Sequence, residues 1–144
     1  MFLKPFLKKT GDHKLLGDVS GVIGVQSETF NGTLAISLGE SIFVQIASKM
    51  LGEQFKVIDE GNVDLIGELA NIILGQAKID LGKLGYGVRL ALPTCVWGKD
   101  HESQVFGQGG VCVVIPFECE FGVFHIEVMT QAVNAAQTAA SKTA

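Results

Sequence analysis

The hydrophobic period of this chain changes twice, and that pattern constrains the fold more than any single motif. Over residues 18–25, Val19, Ile23 and Val25 share one side, and Gly21 leaves a gap among them. Leu34, Ile36 and Leu38 then alternate with Thr33, Ala35 and Ser37, the period of a strand with one wet face. Asn31-Gly32 is a strong turn signal, so a hairpin is predicted around it. The period next becomes helical: Ile42, Phe43, Ile46, Ala47, Met50 and Leu51 form one stripe, which Gly52 is placed to end. A longer helix is predicted from about Asp59 to Leu84, closed by Gly85, with Asp59 as N-cap and Glu60 and Asp64 suiting the positive end of its dipole. Strand periodicity then returns. Residues 88–92 and 94–97 flank Pro93, residues 111–119 are apolar on both faces as in an interior strand, and residues 122–129 alternate. Pro116 is expected at a strand end or a bulge. The order β-β-α-α-β-β-β-β predicts an α+β fold, a mostly antiparallel sheet with two main helices packed on one face.

Composition narrows the class. The 144 residues suit one domain, taken as 1–129, with an Ala-rich tail over 130–144 that is either a short helix or disordered. Apolar residues at 47% and charged ones at 18% argue against a disordered chain or a charged coiled coil. A net charge of −4 argues against a protein that tracks nucleic-acid phosphates. Lys4, Pro5, Lys8 and Lys9 interrupt the N-terminus, so it does not read as a signal peptide, and no segment is apolar enough to span a membrane. Cys95, Cys112 and Cys119 are odd in number and lack C-x-x-C spacing, which argues against a disulfide framework or zinc site and fits reduced thiols in a cytoplasm. Low charge with a positive mean hydropathy of +0.36 suggests further burial in an oligomer, with a homodimer as the expectation.

The long helix carries most of the functional information. Val63, Ile66, Leu69, Ala70, Ile73, Leu74, Ala77, Leu81 and Leu84 cluster on one broad face, which should sit on the sheet. Asp64, Glu68, Asn71, Gly75, Lys78 and Gly82 line the opposite side, a polar stripe with two gaps. An interior helical glycine costs about 1 kcal/mol relative to alanine, and Gly67, Gly75 and Gly82 all occur here. Either tight packing on the sheet or close approach of another surface would offset that cost. Beside the stripe, Leu65, Ile72 and Ile79 form a seam that wants a partner. Glu68 and Asn71, at i and i+3, project together. An amide there can orient a water as donor and acceptor, and a carboxylate can grip a cation. The E-x-x-N pattern alone also fits an ordinary solvated helix face, and Glu28 to Asn31 repeats it at a strand end, where the two residues do not share a face.

Residues 67–78, GELANIILGQAK, resemble the active-site helix of the CheC/CheX/FliY phosphatases of bacterial chemotaxis, the CheX type most of all. Residues 16–24 (LGDVSGVIG), 92–94 (LPT) and 114–118 (VIPFE) resemble strands and turns of the same family in the same order, so the likeness covers roughly 16–129. The resemblance implies hydrolysis of the aspartyl phosphate of a response regulator, CheY or a related receiver domain. It matches Asn71 to the asparagine that positions the attacking water and Glu68 to the glutamate that anchors a regulator lysine. Asp64, Gly75 and Lys78 would then contact the partner. No cofactor of the chain's own is implied, Mg²⁺ being expected in the regulator. Family members usually carry an additional long helix before the first strand, for which the ten or so residues here are expected to be too few. The competing expectation, from another class, is a CheX-like module that binds a receiver or flagellar-switch component without hydrolysis.

Other candidates read as structural. His13, His101 and His125 have no partner at recognisable spacing, Cys112 and Cys119 read as inert buried thiols, and Trp97 and Phe117 as core. Gly107-Gln108-Gly109-Gly110 lacks the Lys-Ser/Thr of a phosphate-binding loop.

Overall fold

The computed structural model describes residues 4–7, 14–98 and 111–132. His13, His101, the 107–110 loop and residues 133–144 lie outside that set.

The elements run β1 (Phe6–Leu7), β2 (Val19–Gln26), β3 (Phe30–Leu38), α1 (Glu40–Leu51), α2 (Leu65–Lys83), β4 (Arg89–Leu90), β5 (Thr94–Trp97), β6 (Val111–Cys119) and β7 (Gly122–Ala132). They form one seven-stranded sheet in the order β1-β6-β7-β3-β2-β4, with β5 also on β2, and every pairing is antiparallel. Both helices lie on one face. Val19 and Ile23 of β2 and Ile36 and Leu38 of β3 meet Phe43, Val44 and Ala47 of α1 and Ile66, Ala70 and Leu74 of α2 in the main core. This is the α+β arrangement that the two changes of period predict.

Several local expectations are corrected. The β2–β3 turn is at residues 27–29, not at Asn31-Gly32, which pair inside the ladder with Gln26 and Val25. Ser27 builds the turn: its Oγ accepts from the N–H groups of Thr29 (3.2 Å) and Phe30 (3.0 Å). Gly32 is needed for another reason, because a Cβ there would collide with the Met129 carbonyl oxygen of β7. The second face of β3 is not wet either. Ala35 and Ser37 are fully buried, and Leu15, Val22, Ala35, Cys112 and Met129 make a smaller core on that side. Within it Ser37 Oγ donates to the buried Glu127 Oε2 (3.3 Å), so the hydroxyl of Ser20, 2.6 Å away, donates to Ser37.

Pro116 sits in the middle of β6, opposite His125, rather than at an end or bulge. β6 is next to the sheet edge, and β1 pairs it only at Val113 and Val114, so the N–H that Pro116 lacks faces no described strand. β7 runs on through Ala132, three residues into the segment assigned to the tail. Trp97 is largely exposed rather than core, and Cys119 and Phe117 are only half-buried, Phe117 stacking on Phe124 with centroids 5.5 Å apart.

Candidate functional site

Helix α2 begins at Leu65, six residues later than Asp59. The intervening segment is held as a turn. Asp59 Oδ1 accepts from Gly61 N–H (2.8 Å), and its carbonyl accepts from Asn62 and Val63. Asn62 is buried; its Oδ1 accepts from Asp59 N–H (3.0 Å) and its Nδ2 donates to Val57 O (2.8 Å). A fixed launch point for the helix follows. Asp64 occupies the N-cap position, exposed and without a side-chain capping bond. At the other end Tyr86 N–H returns to Leu81 O (2.9 Å), and Gly85, at φ 94°, takes the left-handed turn.

The sheet holds the N-terminal half of α2. A Cβ built on Gly21 of β2 would stand 3.1 Å from the Ile66 carbonyl oxygen and 3.2 Å from Ala70 Cβ, so the gap noted in the sequence is where the helix backbone rests. A Cβ on Gly67 would stand 3.4 Å from Pro93 Cγ and 3.5 Å from Cys95 Sγ. Beyond Leu74 the helix buries nothing fully, and Leu84, assigned to the sheet face, is exposed. α1 is anchored beside it by a contact that sequence reading missed: Asp18 Oδ2 accepts from Glu40 N–H (2.8 Å), capping the helix from a distant strand end.

Glu68 and Asn71 are both exposed on that anchored half, three residues apart on one face, and neither side chain hydrogen-bonds to a described residue. Lys78 is exposed on the same stripe. Nothing lies within 4 Å of a Cβ built on Gly75 or Gly82, so the close approach that offsets a glycine occurs at Gly67, and the stripe beside Asn71 is bare. Ile72 (61% exposed) and Ile79 (55%) leave the seam open. An apolar cavity of about 200 Å³ lies on another flank, under Leu69 and Ile73, and neither Glu68 nor Asn71 lines it. The pair stands exposed on an open helix face, which suits a macromolecular partner better than an enclosed small molecule.

Two groups near the site or across the sheet have shifted acidities. Burial, then the Asp64 carboxylate, pushes the Cys95 thiol up, against a lowering hydrogen bond from the Gly67 backbone. Burial pulls His125 below its ordinary 6.5, opposed by Glu127. Among the described residues no group of three or more His, Cys, Asp or Glu side chains is arranged to hold a metal ion, and no helix is long and apolar enough to cross a membrane.

Residues 19–118 match the family described as chemotaxis phosphatase CheX. The CheY-P phosphatase CheX of Thermotoga maritima is 32% identical over 87 residues, 60% of this chain and 56% of that protein, so the chain spans little more than half of that relative's length. A CheC-like superfamily protein from Shewanella sp. PV-4 superposes with a TM-score of 0.76 at 38% identity, over 90% of this chain and 82% of that one. The CheX of Borrelia burgdorferi, solved as a CheX–CheY–BeF₃–Mg²⁺ complex, superposes at 0.70 with 19% identity over 90% and 82% of the two chains, a likeness of fold. The anchored helix with its exposed Glu68 and Asn71 therefore lies inside the matched region, and this chain belongs to the CheX family.

Proposed function

We propose that the protein is a phosphatase for the aspartyl phosphate of a CheY-like receiver domain, acting in the cytoplasm. The observation that carries this reading is the exposed Glu68–Asn71 pair on the firmly packed half of α2, in a chain of this family. Phosphoryl transfer depends on in-line positioning and charge neutralisation more than on covalent help. The Asn71 carboxamide accepts from and donates to the attacking water, holding it in line with phosphorus. As the water oxygen bonds to phosphorus, the bond to the receiver's aspartate oxygen breaks, releasing phosphate and a free carboxylate. Glu68 pairs with a lysine of the receiver and sets the register. The receiver supplies Mg²⁺ and its own carboxylates, so this chain needs neither metal nor nucleophile. Asp64 and Lys78 contact the partner around that centre, and Gly75 leaves room for it.

A homodimer belongs to the same reading. The open Ile72–Ile79 line offers the surface for it. Sedimentation velocity of the intact chain and of Ile79→Asp checks it; a monomer in both removes the dimer.

The deciding experiment follows the decay of a phosphorylated CheY-type receiver with and without the protein and its Asn71→Ala variant. Acceleration lost in the variant supports enzyme and site together. Binding without acceleration makes the chain an interaction module, and acceleration retained by Asn71→Ala removes the mechanism.

A further inference from the structure

We propose that Leu92 is an apolar anchor for the docked receiver domain, presented beside the Glu68–Asn71 face by a rigid bend; the inference rests on the function proposed above. Leu92 is 89% exposed, the most exposed of the large apolar side chains described. Single exposed leucines are ordinary on protein surfaces. What distinguishes this one is how firmly the chain on either side is held.

Before it, Ala91 N–H donates to Gly24 O (2.9 Å), tying the segment to β2. After it, Thr94 pairs with Val22 in the sheet, and Pro93 packs against Gly67 of α2. Pro93 also restricts Leu92 itself, because the residue before a proline is confined to extended conformations. The leucine therefore cannot fold back into the core without breaking the sheet or the helix contact, and its side chain stays in water until something covers it.

The same contact fixes where that something is. Gly67 and Asn71 are i and i+4, so Pro93 touches α2 one turn before Asn71 and about 40° around the helix from it. A globular protein that reaches Asn71 from solvent spreads over the adjoining turn and covers the rim where Leu92 stands. Polar groups at the centre then set chemistry and register, and the apolar side chain beside them supplies affinity through the area it removes from water. The tripeptide Leu92-Pro93-Thr94 acquires two tasks: Pro93 braces the site helix, and Leu92 meets the partner.

The test measures the initial rate of dephosphorylation against receiver concentration for the intact chain, Leu92→Ser, Leu92→Met and Leu7→Ser. Leu7 is 69% exposed but lies on β1, at the opposite edge of the sheet from β4 and β5. Leu92→Ser is expected to raise the half-saturating receiver concentration about tenfold with kcat within about twofold, the loss of one buried apolar contact. Leu92→Met should restore most of the affinity, and Leu7→Ser should leave it unchanged, all with urea midpoints like the parent's. If the parent accelerates decay, Asn71→Ala does not, and Leu92→Ser shows an unchanged half-saturation, the anchor is overturned while the function stands. A fall in kcat without a change in half-saturation also overturns it, since Leu92 would then act by bracing the helix. A parent without acceleration overturns both.

Discussion

Gly21 of β2 lies directly under Ala70 of α2, with only 3.2 Å between the position of a Gly21 Cβ and the Ala70 Cβ, and 3.1 Å to the Ile66 carbonyl oxygen. The residue after Ala70 is Asn71, so the spacing of helix and sheet at this point sets the height and tilt of the candidate site. A branched side chain at position 21 must push the helix backbone outward. Gly21→Val is expected to destabilise the fold by about 1–3 kcal/mol, the usual cost of overpacking, seen as a lower urea midpoint. Phosphatase activity should fall further than stability alone explains, because displacements near 1 Å at a positioning group are expensive.

The Glu68 side chain is exposed and pairs with no described residue, so its removal should leave stability within about 0.5 kcal/mol. Glu68→Ala is expected to raise the half-saturating receiver concentration about tenfold or more, with a weaker dependence of affinity on salt. Rates measured at several ionic strengths check this. An unchanged affinity contradicts its anchoring role.

Gly75 separates folding from function in the opposite sense. It is interior to α2, and a side chain there meets open space. Gly75→Leu is therefore expected to stabilise the protein by about 0.5–1 kcal/mol through helix propensity. The new side chain would stand one turn beyond Asn71 on the same stripe and obstruct the partner. Higher thermal stability with activity reduced about tenfold or more is the expected pair of results. A fully active Gly75→Leu removes Gly75 from the docking surface.

His125 faces the second side of the sheet with Glu127, and burial holds its folded pKa below 6.5. The unfolded chain then binds the proton more readily than the folded one, so stability rises with pH through this window. Part of the stability should be lost as pH falls from about 6.5 through the lowered folded value. His125→Gln should flatten that portion of the profile, which urea unfolding between about pH 5 and pH 7.5 records. An unchanged slope contradicts the lowered value.

Much of this molecule is legible in its sequence. The two changes of hydrophobic period mark the sheet halves and both helices, Gly52 and Gly85 mark the helix ends, and Gly21 marks the gap beneath the site helix. Glu68 and Asn71 fall on one exposed face, as their spacing requires. These features are local: they depend on which side of a strand or helix a residue occupies, and the chain's own period states that.

What only the tertiary structure decided depends on neighbours distant in sequence. Asn31-Gly32 carries the signal of a turn, yet the ladder absorbs it, because the Ser27 side chain closes the turn earlier and β7 presses on Gly32. Ala35 and Ser37 look solvent-facing by alternation and are buried by a second small core. Asp18 caps α1 across 22 positions, and Pro93 braces α2 from the far side of Gly67. The identity of each residue was available from the start. Which surfaces would press together was not, because packing and hydrogen bonding between distant segments are settled only when the whole core closes.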